Sequence, residues 1–271
     1  MQNRILPVLL FLFVTLTAVA GKVDTVSVDS PAMHRAVNCL IVVPEKHATV
    51  PAERFAVIYL LHGFGGNQRD WLGNVPELTT YADRYNVIIV CPDGQNSWYL
   101  DSPVKPSVRY ETFMTAELLP FVDKQYHTRP DRQHRAITGL SMGGHGALFL
   151  AMRHRDLYGQ AGSLSGGVDF RPFPKNWELR DLLGDAEANP DVWTANTVIA
   201  AVDGIQNGEL RLLIDCGTDD FFTTVNRDMH QKLLQRKIGH DYVERPGGHT
   251  WDFWRSNVEY HLLFFRSGFT N

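Results

Sequence analysis

The stretch AITGLSMGGHGA, residues 136–147, sets four glycines around one serine directly after an apolar run. Such a run ending in Gly-x-Ser-x-Gly reads as a buried strand that turns sharply into a helix beginning near Met142. A junction this tight forces strained backbone angles on the serine, and side-chain-free positions on either side let strand and helix approach. Gly139 and Gly143 hold those positions, while Gly144, Gly146 and Ala147 keep the helix close to the sheet. The Ser141 hydroxyl is thereby pushed out at the sheet's edge. GSLSGG, residues 162–167, is a near miss, because the position two before Ser165 is Ser163 rather than glycine.

Outward from this turn, FAVIYLLHG (55–63), NVIIVCPDG (86–94), HRAITGLS (134–141), QAGSLSGG (160–167) and LRLLIDCG (210–217) are apolar runs ended by glycine or acidic loops. Near-continuous apolar character predicts strands covered on both faces, hence an α/β fold with a mostly parallel central sheet and helices on both sides. YETFMTAELLPFVDKQY (110–126) places Phe113, Met114, Leu118, Phe121 and Val122 on one side of a helix that packs on the sheet. KVDTVSVDS (22–30) and RAVNCLIVVPE (35–45) resemble an antiparallel pair leading into it. No linker, repeat or low-complexity tract divides the chain, which predicts one domain over residues 21–271 without a large separate cap.

Residues 1–20 stand apart. Arg4 precedes the apolar run Ile5–Val14, and Ala18-Val19-Ala20 supplies the small residues of a signal-peptidase site. The run is shorter than the ~20 apolar residues of a membrane span, so a cleaved secretory signal peptide and a secreted or periplasmic product are expected. No cysteine near the cleavage point offers a lipid attachment, so no stable membrane anchor is expected. Removing Arg4 leaves 25 Lys and Arg against 30 acidic residues. This mildly acidic balance, without a basic stripe, argues against nucleic acid or anionic membrane as partner and favours a neutral substrate. Cys39, Cys91 and Cys216 match no metal spacing and read as buried thiols.

A serine hydroxyl is a weak nucleophile until a base takes its proton, and the base needs a carboxylate to fix its tautomer. The turn resembles the nucleophile elbow of α/β-hydrolases, in which both follow the serine in the chain. His145 and His154 fall on the helix after Ser141, and His230, His240 and His261 lie in helix-like stretches, where packing or surface roles are expected. His249, in ERPGGHTWDFW (244–254), sits on a loop after the last expected strand, with Trp251 and Trp254 placed to anchor it. LLIDCGTDDFF (212–222) supplies the acid. Asp215 lies in or at the end of its strand and is less free, whereas Asp219 and Asp220 both lie on the following turn and either can serve. Attack on a carbonyl also needs two N–H donors for the oxyanion. Met142 supplies one, and Phe64 in LLHGFGG (60–66), at an earlier strand end, the other.

Taken in order, YLLHGFGG, NSWYLDSP (96–103), YETFMTAELLPFVDKQY, TGLSMGGHGA, DCGTDDFF and GGHTWDFW resemble the esterase D-like branch of the α/β-hydrolases. That branch includes feruloyl and acetylxylan esterases, tributyrin-type esterases and S-formylglutathione hydrolases. The likeness covers most of the chain after residue 20. It implies the α/β-hydrolase fold, Ser141 as nucleophile, His249 as base, the N–H groups of Phe64 and Met142 as oxyanion hole, and no metal or organic cofactor. It selects Asp220 as the orienting acid, because the family's acid falls three residues after the glycine matching Gly217.

The expected function is a secreted serine carboxylesterase that works through an acyl-enzyme on small-molecule or carbohydrate esters, with acetyl and feruloyl groups first. Acyl transfer to a sugar is the neighbouring chemistry, and a noncatalytic carbohydrate-binding relative is the reading from another class. The leader disfavours a cytosolic S-formylglutathione hydrolase. Trp98 and Tyr99, on a strand-end loop, are expected to touch substrate. Residues 170–204 form a long connection, with Phe170, Phe173, Trp177 and Trp193 expected mostly in a small core of their own.

Overall fold

The apolar runs become the strands expected of them. The computed structural model describes residues 21–270; the secretory leader expected over residues 1–20 lies outside the described residues. The strands are β1 (Lys22–Ser30), β2 (Arg35–Val43), β3 (Ala56–Leu61), β4 (Val87–Pro92), β5 (Arg135–Gly139), β6 (Gln160–Leu164), β7 (Arg211–Gly217) and β8 (Asp241–Arg245). They form one sheet in the order β1-β2-β4-β3-β5-β6-β7-β8. β1 and β2 pair antiparallel and β2 joins β4 antiparallel, while β4 through β8 run parallel. Every residue of β3, β4, β5 and β6 is buried, as strands covered on both faces require.

The longer helices are α1 (Leu78–Tyr85), α2 (residues 110–125), α3 (Met142–Arg153), α4 (Thr223–Gln235) and α5 (Trp251–Gly268). α2, α3 and α4 pack on one face of the sheet through residues such as Phe113, Leu148 and Met229, and α1 and α5 pack on the other through Leu78, Ala82, Phe253 and Leu262. Within α2 the segment Phe113–Leu118 widens into a π-turn between α-helical Tyr110–Thr112 and Leu119–Gln125. Pro120, which has no N–H to return to the preceding turn, lies two residues past the widening. Phe113, Met114, Leu118 and Val122 are buried as expected, and Phe121 is part-buried.

α3 is buried along nearly its whole length, because residues 170–204 roof the side that the sheet leaves open. Phe170 and Trp193 are core residues of that roof, with ring centroids 5.6 Å apart. The chain reverses its winding at β3, whose neighbours are β4 on one side and β5 on the other, and at such a point loops diverge to leave a crevice at the carboxyl ends of the strands. Among the described residues no helix is long and apolar enough to cross a membrane.

Candidate active site

Ser141 stands at the end of β5, where the chain turns straight into α3. Its φ of 54° and ψ of −117° are strained for a residue with a side chain. Two close approaches hold it there. A Cβ at Gly139 would meet the Leu61 carbonyl oxygen at 2.6 Å and the Gly143 carbonyl at 2.7 Å, and one at Gly143 would meet the Leu61 oxygen at 2.5 Å. Only glycine fits either place, so α3 starts against the end of β3. The Ser141 N–H donates to the Leu164 carbonyl at 2.9 Å, which ties the turn to β6.

The hydroxyl points at an imidazole that comes from the loop after β8, three strands away in the sheet. His249 Nε2 lies 2.9 Å from Ser141 Oγ, and His249 Nδ1 lies 2.8 Å from Asp220 Oδ2. An ionised carboxylate only accepts, so Nδ1 carries the proton and donates to Asp220, leaving Nε2 to accept from the serine hydroxyl. The structure thus joins the three side chains in one hydrogen-bonded chain. Of the two aspartates left open by spacing, Asp220 is the one that reaches the imidazole. Asp219 is exposed, and its N–H donates to the Gly247 carbonyl at 2.9 Å.

Each partner is held from behind. Asp220 Oδ1 accepts the Phe222 N–H at 2.8 Å, and Thr223 Oγ1 bonds to the carbonyls of Gly217 at 2.7 Å and Asp220 at 2.6 Å. Asp220 therefore also caps its own turn. The imidazole is packed among rings: Phe221 lies 4.3 Å away, Trp254 stands perpendicular at 4.9 Å and Phe222 at 5.5 Å. Trp251 packs edge-on against Trp71 at 5.3 Å and Trp254 at 5.4 Å, anchoring the histidine loop as its aromatics suggested. Phe221 and Phe222 follow Asp220 directly in the chain. Only Phe222 is buried; Phe221 is 51% exposed and turns to the cleft, stacked on Trp177.

The second donor loop passes close to the serine. A Cβ on Gly63 would lie 3.4 Å from Ser141 Cβ, and among the described residues no hydrogen bond within the chain uses the N–H of Phe64 or of Met142. A cleft of about 330 Å³ opens over Ser141 and His249, walled by Phe64, Trp177, Phe221, Trp251 and Trp254, with Asp70 its one formally charged lining residue. A larger hollow of about 510 Å³ elsewhere contains Glu111, Arg153 and His154, but there the guanidinium and the imidazole already share Glu111 at 2.8 Å.

Trp98 and Tyr99 do not take the place expected of them. They are 1% and 0% exposed, and neither lines the cleft. The Tyr99 ring fills the space left by Gly94 and Gly146, its hydroxyl donating to the His62 carbonyl at 3.2 Å. Trp98 packs against Phe170, His145 and Trp177 at 5.3–5.9 Å. Both are core residues. The cleft aromatics that sequence reasoning missed are Trp177, which it had leaned towards placing in a core, and Phe221; no local signal separates them from their buried neighbours, because their exposure follows from how distant loops meet. Cys216 is buried, and burial pushes its thiol up to about 12, so no thiolate competes near neutral pH. Among the described residues no group of three His, Cys, Asp or Glu side chains is placed to hold a metal ion.

With this geometry, the fold and site define an esterase of the α/β-hydrolase fold. The family model described as "Putative esterase" matches residues 30–265, and the chain belongs to that family. An acetyl esterase of Caldicellulosiruptor saccharolyticus is 30% identical over 224 residues, covering 77% of this chain and 82% of the relative. The diacylglycerol acyltransferase/mycolyltransferase Ag85A of Mycobacterium gordonae is 26% identical over 273 residues, covering 88% and 78%. A solved ferulic acid esterase superposes with a TM-score of 0.80 at 27% identity, covering 93% of this chain and 100% of that one.

Proposed function

We propose that this chain hydrolyses carboxylic esters through an acyl-enzyme on Ser141. The observation that carries the reading is the unbroken hydrogen-bonded chain from Ser141 through His249 to Asp220 at the mouth of an aromatic cleft. His249 Nε2 takes the serine proton as Oγ attacks the ester carbonyl, and the carbonyl oxygen, now negative, is received by the N–H groups of Phe64 and Met142. The intermediate collapses as His249 returns the proton to the departing alcohol. Water, deprotonated by the same imidazole, then attacks the acyl carbonyl and frees the acid and Ser141. Asp220 accepts from His249 Nδ1 and steadies the imidazolium.

Acetyl or feruloyl esters on carbohydrate are the substrate class we favour. The relatives named acetyl esterase and ferulic acid esterase support it, as do flat aromatic walls suited to sugar or phenolic rings. Asp70 supports a neutral, hydroxyl-bearing substrate over an anionic one, since a carboxylate with no ion-pair partner among the described residues repels like charge and accepts from hydroxyls. The leader-like residues 1–20 support export, which is tested by whether protein recovered outside the cytoplasm begins at Gly21. The mycolyltransferase relative favours one second reading, transfer of the acyl group to a sugar hydroxyl instead of water. A panel of acetyl to feruloyl esters, on simple and polysaccharide-linked alcohols, run with and without free sugar, tests both. Turnover of carbohydrate acetyl or feruloyl esters to free acid is expected; acylated sugar as the main product would establish transfer, and no turnover of any ester would contradict the proposal.

A further inference from the structure

The loop that carries the Phe64 N–H is the turn Gly63-Phe64-Gly65-Gly66, with Gly65 at φ 77°. Three glycines around one donor allow many conformations, and a donor helps an oxyanion only if it is aimed before the charge forms. Two side chains fix the aim. His62, at the end of β3 and buried, accepts the Gly94 N–H on Nε2 at 2.7 Å, which leaves Nδ1 protonated to donate to the Gly63 carbonyl at 2.8 Å. That carbonyl and the Phe64 N–H belong to one trans peptide and point opposite ways. Holding the carbonyl at His62 therefore turns the N–H away from it.

The peptide on the other side of Phe64 is held from a different strand. Asn96, in the loop after β4, accepts the Gly65 N–H on Oδ1 at 2.8 Å, and its Nδ2 faces Glu178 Oε2 at 3.4 Å. A donor on one side and a carboxylate on the other orient the amide in one sense only. Glu178 follows Trp177 in the chain, and both have positive φ, 57° and 52°. The residue that walls the cleft and the residue that orients Asn96 are thus fixed in one short turn. Gly65 is exposed, so water can replace Asn96 as acceptor at little cost to folding, whereas it cannot replace the direction that Asn96 imposes.

We infer that Asn96 is a positioning residue for ester hydrolysis: by holding the peptide after Phe64, it keeps the Phe64 N–H aimed at the carbonyl oxygen under attack. The inference rests on the proposed roles of Ser141, Phe64 and Met142. Its test is Asn96→Ala, measured on an activated ester and by affinity for an aryl boronic acid, which the serine oxygen attacks to form a tetrahedral adduct drawing on the same donors. Loosening a donor should cost ~10- to 100-fold in kcat, less than the 10²–10³ of deleting one, with KM and Tm held and boronate affinity falling in step with kcat/KM. Asn96→Asp in a Glu178→Gln background restores the acceptor without pairing two carboxylates, and should recover activity to within a few-fold of Glu178→Gln alone. Unchanged kcat in Asn96→Ala, a loss shared equally by KM or Tm, or failure of the Asp variant to rescue would overturn the role of Asn96. Wild-type protein and Ser141→Ala run alongside: boronate binding that is absent from the first or persists covalently in the second refutes the underlying site, and the inference with it.

Discussion

Two neighbouring strands end in almost the same letters, Gly-Leu-Ser-Met-Gly after β5 and Ser-Leu-Ser-Gly-Gly after β6. Both central serines sit at positive φ, 54° for Ser141 and 50° for Ser165, and both donate their N–H to the next strand over, to Leu164 at 2.9 Å and Asp215 at 2.7 Å. Only one hydroxyl meets a base; Ser165 Oγ is buried and, among the described residues, has no hydrogen-bond partner. The turns part at their first position. Gly139 leaves room for Gly143 and a helix start, whereas Ser163 puts its hydroxyl against Gly144 and Gly166, and the chain leaves as a loop towards residues 170–204. A strained serine at a strand end is thus common to both turns. What sets Ser141 apart is the helix that begins beneath it and the histidine loop that arrives above it.

The largest expected effect sets the two serines apart. Ser141→Ala should lower kcat/KM on an activated ester by ~10⁴-fold or more at an unchanged melting temperature, and Ser165→Ala should leave it within a few-fold. Comparable losses in both variants would erase the distinction. The two aspartates sharpen it. Asp220→Asn keeps the acceptor for the Phe222 N–H but presents an amide to His249, which in serine proteases costs roughly 10⁴ in turnover by favouring the wrong tautomer. Asp219→Asn, on an exposed side chain, should leave most activity, and steady-state rates of the pair decide the assignment.

The histidines divide in the same manner. His249 is the histidine that meets the serine hydroxyl, through Nε2 at 2.9 Å. His145 and His261 serve packing. Burial holds His145 down at about 4, and burial followed by the Arg245 charge holds His261 down at about 3. Both folded values lie below the ordinary ~6.5, so their contribution is present above that pH and is lost as pH falls towards 4 and 3. Each should cost about 1.4 kcal/mol of stability per pH unit in that window. Urea melts of His145→Phe should show a correspondingly flatter pH dependence than wild type; an unchanged slope would refute the assignment. The smallest expected effect concerns the cleft. Asp70→Asn should raise kcat/KM for a carboxylate-bearing ester about two- to five-fold, lower it for a cationic ester by a similar factor, and leave a neutral ester unchanged.

Features written in local pattern could be read from the sequence. The strands announce themselves as apolar runs, and the nucleophile turn by glycines that a close approach demands. His249 was separable from five other downstream histidines because its loop, glycines and tryptophans differ from helical surroundings. Asp220 over Asp219 needed the family resemblance, since adjacent turn residues differ only in direction. Trp98 and Tyr99 were misplaced for the same reason that Trp177 and Phe221 were missed. Whether an aromatic on a loop is covered depends on partners such as Gly146, 47 residues beyond Tyr99 in sequence, and on where residues 170–204 lie. The π-turn in α2 was hidden by an apolar stripe that a regular helix explains equally well.

The central claim is that Ser141, and not its structural neighbour Ser165, carries the acyl group. Brief reaction with an activated acetyl ester, acid quenching and peptide mass mapping test this most directly. One acetyl group on the peptide containing Ser141, absent from the peptide containing Ser165 and absent altogether in Ser141→Ala, is the predicted result. An acetyl group on another residue that forms and decays at the rate of turnover, or full turnover in Ser141→Ala, would contradict the account.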